Sequence, residues 1–474
     1  MSHSLKTHLK EIIYLKSLSS LLHWDQETQM PAHASLFRSE QSAFVEGLFQ
    51  EKILDSKIRH FIDTETRDPT TMRHQALLKE EVAKKSIPKE LVEEIAKHTV
   101  LSIESWRKAR EKNDFSLFRD DLKKMIELQQ QVADLVKKGG TRYDALVSFF
   151  DPDLTYAQIQ TLFDPLEQQL KKVILSKSFP KKRAHRLPAP IAEQKKVCEE
   201  LVQLIAPNAL LAETTHPFCT DIGPVDIRIS TRYNPEDLFE AIYSTLHELG
   251  HALYEQQLPH SEPYPLNQAL SLTVHESQSK LFETCIGGST EFLTYLYGRI
   301  CHHLKHCPLT LEEFLESRFA IFPQPIRIES DEFTYPLHII FRTKIEQALI
   351  EGTLSVDDLP QTFRHYQKEL LDLDITTEKE GCLQDIHWAC GNFGYFPTYL
   401  TGCMYAHDQY AAMSQTFNIK KALLSGDIEP IRHWLKEAIH HHGSRYPFRE
   451  LLEKSTKHSL NAERYFHYLQ GRFL

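Results

Sequence analysis

Glycine is scarce in this chain, 16 of 474 residues, about half the usual share near 7%. Few glycines mean few tight turns, which argues for long helices over many short strands. Positive charge is not in excess either. The 55 Lys and Arg face 65 Asp and Glu, giving a net charge of −10 and a pI of about 6.2. The basic residues are spread along the chain, without the one-sided footprint of a nucleic-acid binder, so no nucleic-acid partner is expected. No uncharged apolar run reaches the roughly 18 residues of a membrane span, so no membrane partner is expected. The N-terminus does not read as a signal peptide. Its apolar stretch from Ile12 to Leu22 is broken by Lys16, and no small-residue cleavage site follows. Eight cysteines are present, at 198, 219, 285, 301, 307, 382, 390 and 403, without a CxxC pair, which argues against a thiolate zinc site. Free thiols in a reducing cytosol are expected, and hence a cytoplasmic protein. Repeats and low-complexity tracts are missing.

What is present is ordinary for a folded protein, with 41% hydrophobic and 25% charged residues, which excludes intrinsic disorder. The length would allow about three domains, but no boundary shows, and residues 1–474 are read as one domain. Most of the chain reads as amphipathic helices joined by Pro- or Gly-marked turns. Leu5, Leu9, Ile12, Leu15, Leu18 and Leu22 repeat at helical spacing. Residues 36–136 look helical almost throughout, with breaks near Asp68-Pro69 and Ile87-Pro88, and Gly139-Gly140 closes the block. Residues 177–190, basic and proline-bearing, read as an exposed connector. His440, His441 and His442 are adjacent on a helix and point in three directions, so a shared metal is not expected there. One stretch differs: Pro224 to Tyr233 alternates apolar Val225, Ile227 and Ile229 with polar Asp226, Arg228 and Ser230, the period of a half-buried strand.

The chemistry follows that strand. Asn234 reads as an N-cap with Pro235 in the first helical position. Leu238, Ile242, Leu246, Leu249 and Leu253 then form an apolar stripe. The same helix carries His247-Glu248-Leu249-Gly250-His251. Histidines four residues apart fall on one helix face, where two imidazoles can bind one zinc ion while Glu248 reaches the metal-bound water as general base. The third ligand separates the zinc peptidase classes. A metzincin needs Gly at 254 and His at 257; the chain has Tyr254 and Gln257. The alternative is a His₂Glu site with the glutamate on a following helix. Residues 267–286 read as that helix, closed by Gly287-Gly288, and carry Glu276 beside an apolar face, where a carboxylate needs a strong partner. The expected ligands are His247, His251 and Glu276, holding one Zn²⁺ per chain, with Co²⁺ or Mn²⁺ able to substitute.

HELGHALYEQ (247–256) followed by HESQS (275–279) resembles the carboxypeptidase Taq family of zinc metallocarboxypeptidases. His216-Pro217-Phe218 matches its HPF motif. Asp226 to Ser230 matches DxRxT with Ser for Thr, and Ile326 to Asp331 matches IRxxAD with Ser330 for Ala. Gly381 to Trp388 matches GxxQDxHW in full. Trp24-Asp25 and Met30-Pro31 are similar to the family's opening helix, and the likeness runs from about residue 5 to 470. Lys280 stands where the family often carries Arg. The resemblance implies an all-α, mainly helical fold with a small β element near the active site. The implied class is a gluzincin-type metallopeptidase, with two helical lobes around a long deep substrate groove that has zinc on its floor. It also implies a homodimer.

Within such a site the ligands leave a fourth metal position for water, and Glu248 would take its proton and pass it to the leaving amine. The developing oxyanion needs a second donor beside the metal. Candidates are His387, Tyr395 and Tyr399, and the resemblance supports His387 with a nearby tyrosine. An exopeptidase must also recognise a free α-carboxylate, which suits the two-pronged geometry of arginine. Arg327 is the first choice on the IRxxAD match, against a plain salt bridge to Glu329 or Asp331. Arg228, His216 and Gln384 are further substrate-binding candidates. Asp226 and Asp385 are expected in support, Asp226 behind a zinc-bound imidazole. The strand 224–233 could also take an extended substrate along its edge. The expected function is metal-dependent release of C-terminal amino acids from peptides with a free C-terminus. The rivals are an oligopeptidase cutting internal bonds of short peptides and a non-catalytic helical scaffold; the intact Glu248 argues against the scaffold.

Overall fold

The computed structural model describes residues 1–177, 179, 180 and 185–474. The chain forms two compact units, each assembled from three separate stretches. The first comprises Met1–Ser86, Ala184–Arg318 and Tyr405–Ser459; the second comprises Ile87–Arg183, Phe319–Met404 and Leu460–Leu474. Helices dominate both, as the low glycine count implies. No described helix is long and apolar enough to cross a membrane.

In the first unit, helix His3–Thr28 opens with Ser2 capping Leu5 N–H. It buries Leu5, Leu9 and Ile12 against Phe49, Ile53 and Leu78. The stripe then turns outward, with Leu18 48% exposed. The expected breaks at Asp68-Pro69 and Ile87-Pro88 are present. Asp68 caps helix Pro69–Lys85, and Pro88, which donates no N–H, precedes helix Lys89–Lys112. The segment 177–190 includes 178 and 181–184, which lie outside the described residues. Its end is not the exposed connector expected: Leu187 and Ala189 are buried, Leu187 N–H donates to Asp237, and Ala189 N–H donates to the Pro235 carbonyl.

The alternating segment is strand β3 (Asp226–Thr231), and it is not alone. It pairs in parallel with β1 (Leu210–Glu213) and antiparallel with β2 (Cys219–Gly223), in the order β1-β3-β2. As the central strand it has both edges filled, which removes the expected edge addition of substrate to 224–233; free edges belong to β1 and β2. Ile227 and Ile229 are buried, as the alternation requires.

The helix bearing the histidines, Leu238–Gln257, starts later than expected. Asn234 instead caps a turn, accepting from Glu236 N–H, and Asp237 is the helix N-cap. Leu238, Ile242, Leu246, Leu249 and Leu253 are all fully buried. The next helix, Leu272–Lys280, is also shorter than the expected 267–286. Ser271 caps it, and beyond Lys280 the backbone widens into a π-turn, Leu281–Ile286.

The second unit packs Leu122, Met125, Tyr143, Phe163, Leu337, Phe341 and Trp388 into one core. Helix Tyr335–Glu351 is buried on nearly every side, which is why its apolar residues show no single face.

Candidate metal centre

In the first unit, His247, His251 and Glu276 bring one ligand atom each to within 4.8 Å of one another. His247 Nε2 and His251 Nε2 lie 3.8 and 3.7 Å from Glu276 Oε2. The histidine helix and the Leu272–Lys280 helix reach this closeness because Gly250 has no side chain. A Cβ there would meet the Gln278 carbonyl oxygen at 2.2 Å.

Each imidazole is tied back through its outer nitrogen. His247 Nδ1–H donates to Glu283 Oε2 at 2.7 Å, which leaves Nε2 bare and able to ligate. His251 is held through another ring. His275 Nε2–H donates to Glu255 Oε1 at 2.7 Å, so its Nδ1 accepts the His251 Nδ1–H at 2.6 Å. Glu255 therefore fixes the tautomer of His251 through the intervening ring of His275. The supporting role expected of Asp226 thus falls to Glu283, His275 and Glu255. Asp226 instead pairs in two-pronged fashion with Arg228, both bonds 2.7 Å.

The pocket favours a cation. Glu276 Oε2 accepts from Ser279, but Oε1 is buried with no hydrogen-bond partner, a costly arrangement unless a positive ligand fills it. Burial alone would lower the pKa of His247; the nearby Glu276 and Glu283 reverse that and raise it to about 9. Lys280 donates to Glu283 Oε2 at 2.7 Å and stands 3.9 Å from Glu276 Oε1. With His247 it holds Glu283 well below the usual carboxylate range, against burial, which acts the other way. Glu248, 6% exposed, has its pKa pushed up to about 7 by burial. It lies outside the ligand trio, poised to exchange a proton near neutrality. His440, in the His440–His442 turn, contacts Gln257 and Gln278 instead of a metal trio.

The HPF and DxRxS segments support the sheet. Ser230 Oγ accepts from Phe218 N–H and from Thr214 Oγ1, so serine supplies the hydroxyl needed here. His216 is exposed, and its carbonyl accepts from Thr214. Phe218 packs on Trp24.

The second unit gathers the remaining motifs around a buried arginine pair. Arg327 donates to Asp385 at 2.9 Å, and Arg342, fully buried, donates to the other oxygen of Asp385 at 2.6 Å. Asp385, and neither Glu329 nor Asp331, is thus the ion-pair partner of Arg327. Burial would raise the Asp385 pKa, but Arg342 and Arg327 hold it far below the usual range. The Arg327 guanidinium lies 5.2 Å from the Tyr399 ring and 5.5 Å from Phe396. Gln384 accepts from Arg327 N–H and donates to the carbonyls of Pro325, Glu380 and Gly381. Its amide braces the Arg327 loop and is not left over for substrate, as had been expected. His387 Nε2 is 3.1 Å from Tyr399 OH, and its ring packs with Phe396 and Tyr395. Burial lowers the His387 pKa to about 4, so near neutral pH it is an uncharged imidazole.

Two imidazoles and a carboxylate with tied-back outer nitrogens, beside a buried glutamate of raised pKa, define a metallopeptidase centre. Residues 4–473 match the family described as Carboxypeptidase Taq (M32) metallopeptidase, and the chain belongs to that family. It is 32% identical to Carboxypeptidase 1 of Bacillus subtilis over 98% of this chain and 96% of the relative. It is 31% identical to Thermostable carboxypeptidase 1 of Pyrococcus furiosus, over 96% and 95%. Among solved structures, a carboxypeptidase of Pyrococcus furiosus aligns with TM-score 0.94 at 29% identity, covering 100% of this chain and 99% of that one. Metallocarboxypeptidase 1 of Trypanosoma cruzi aligns with TM-score 0.91 at 28% identity, covering 99% and 98%. The chain is accordingly a metal-dependent carboxypeptidase, and neither the internal-cutting nor the scaffold reading is favoured.

Glu283, His275 and Glu255 were not singled out for support from sequence. Glu283 carried a faint signal, seven residues after Glu276 and so near the same helix face. Glu255 likewise stands one turn after His251.

Proposed function

We propose that the chain removes single residues stepwise from the C-terminus of peptides, with zinc held by His247, His251 and Glu276. The observation that carries this is the close approach of His247, His251 and Glu276, one ligand atom of each lying within 4.8 Å of the others, with Glu276 Oε1 buried and without a hydrogen bond. Zinc bound there would supply a Lewis acid and lower the pKa of water to near neutral. Glu248 takes the proton from the attacking water and delivers it to the leaving amine, a task suited to its pKa of about 7. Arg327 binds the substrate α-carboxylate. Asp385 and Gln384 hold it in place, and Asp385 keeps one carboxylate between two guanidiniums so that positive charge remains. His387, uncharged, and Tyr395 or Tyr399 donate to the developing oxyanion. Arg228 and His216 are assigned to contacts with the rest of the peptide.

The eight free cysteines support a reducing cytoplasm, and the family resemblance supports a homodimer. The test is mass spectrometry of a mixed peptide pool incubated with the protein, together with metal analysis. Ladders shortened one residue at a time from the C-terminus, about one metal ion per chain, and silence after chelation are expected. Internal fragments would refute the reading.

A further inference from the structure

The first unit contains a cavity of about 1340 Å³ whose wall includes Lys16, His23, Asp221, Glu255, Tyr264 and Gln268. None of these belongs to the metal trio or to the residues given catalytic roles above. The cavity nevertheless touches the catalytic apparatus through Glu255, the carboxylate that fixes His251 by way of His275. It also reaches strand β2. Cys219 at the head of β2 is half-buried; desolvation and the charges of Glu248, Glu255 and Asp221 push its thiol up. Asp221 stands two residues further along the same strand, on the same face as Cys219 and about 7 Å away by strand rise.

Lys16 and Asp221 attract one another through space, but no direct ion pair joins them. Lys16 donates to Gln268 and lies 5.3 Å from the Tyr264 ring centre, and it forms no salt bridge with Asp221. Asp221 Oδ1 is buried and has no hydrogen-bond partner. Burial, reinforced by Glu255 and only partly offset by Lys16 and a backbone hydrogen bond from Gly223, raises the Asp221 pKa to about 7. A carboxylate left in this state on the wall of a large cavity is matched by a cation that enters from outside.

We infer that this cavity receives the part of the peptide upstream of the scissile bond, with Asp221 taking a cationic amine, either the α-ammonium of a short peptide or a basic side chain. Lys16 faces the same space and suits the peptide's carbonyl oxygens, since an ammonium donates and cannot accept. This rests on the peptide-hydrolysing reading above and adds a preference that reading does not contain: charge upstream of the cleavage point.

The test uses four peptides of equal length and the same C-terminal residue. One has a free amino terminus and neutral side chains, and the second is its N-acetylated form. The third is N-acetylated with one upstream Lys, and the fourth replaces that Lys by norleucine. With the metal-loaded enzyme, kcat/KM should favour at least one amine-bearing peptide over its neutral partner by about tenfold. The two pairs show whether the terminus or the side chain supplies the amine. Asp221→Asn should bring that ratio close to one, and Asp221→Glu should restore part of it. Equilibrium binding of the same peptides, fluorescently labelled, to metal-depleted protein should show the same order. Equal kcat/KM within both pairs in the wild type, or an unchanged ratio in Asp221→Asn, overturns the inference. If no peptide is cleaved, the carboxypeptidase reading fails. The binding order in wild type and Asp221→Asn then still decides the cavity on its own, with Asp221→Glu as the folding control.

Discussion

The cluster around Glu276 and the cluster around Asp385 are built from the same kinds of side chain in opposite proportion. In and around the metal trio lie the carboxylates Glu248, Glu276 and Glu283, with Lys280 as the paired cation. Around Asp385 stand two guanidiniums, both drawing on that one carboxylate. Each cluster is incomplete in charge, the first toward negative and the second toward positive. On the reading proposed above, a dication settles the first and the substrate carboxylate settles the second. Buried charges kept short of balance are expensive to maintain, and in an enzyme the shortfall is where a ligand binds.

The largest way to break the comparison is to remove the negative pole. His247→Ala or Glu276→Ala should lose both metal and turnover, read by metal analysis and peptide hydrolysis. Full occupancy in Glu276→Ala would disprove the ligand trio. Next is Glu248→Gln, which should keep its metal and lose about 10²–10⁴-fold in kcat. Retention of most activity would contradict the proton-transfer role.

The positive pole is tested by the substrate's own charge. Arg327→Ala should lower kcat/KM for a peptide acid by about 10²-fold. It should also narrow the gap between that acid and its C-terminal amide, and Arg327→Lys should recover only part. Equal rates for acid and amide in the wild type would count against exopeptidase action. The smallest effect is expected of Glu283→Gln, which leaves the trio intact and loosens only His247. Metal affinity should fall about 10–100-fold in competition with a chelator; unchanged affinity would show that the bond from His247 to Glu283 does no orienting.

The negative pole was the more legible in sequence. Helical spacing alone put His247 and His251 on one face, and the failed metzincin pattern pointed to a glutamate on the next helix. Glu283 escaped although the regular helix assumed through 286 puts it near the face of Glu276, because no motif marked it; the backbone in fact changes to a π-turn after Lys280. Arg327 and Asp385 depended on motif matching and Arg342 went unread, since nothing in local periodicity links the three across such separations. The two short strands β1 and β2 went unseen for a related reason. Four residues with mixed exposure and the polar run Cys219–Gly223 carry no alternation to read. The two units were invisible because each is stitched from three stretches, so no linker marks their limits.

The contact at Gly250 gives the metal site a fixed gauge. Two ligands ride on one helix and the third on its neighbour, and the helices already meet main chain to main chain where Gly250 faces Gln278. They have no room to close, and their buried leucines and valine hold them from parting. An ion of different radius therefore has to be met by the torsions of His247, His251 and Glu276, inside a frame that does not yield. Exchange among zinc, cobalt and manganese becomes a question of side-chain angles alone, so a substituted ion should change the angles at which substrate is presented before it changes the architecture around it.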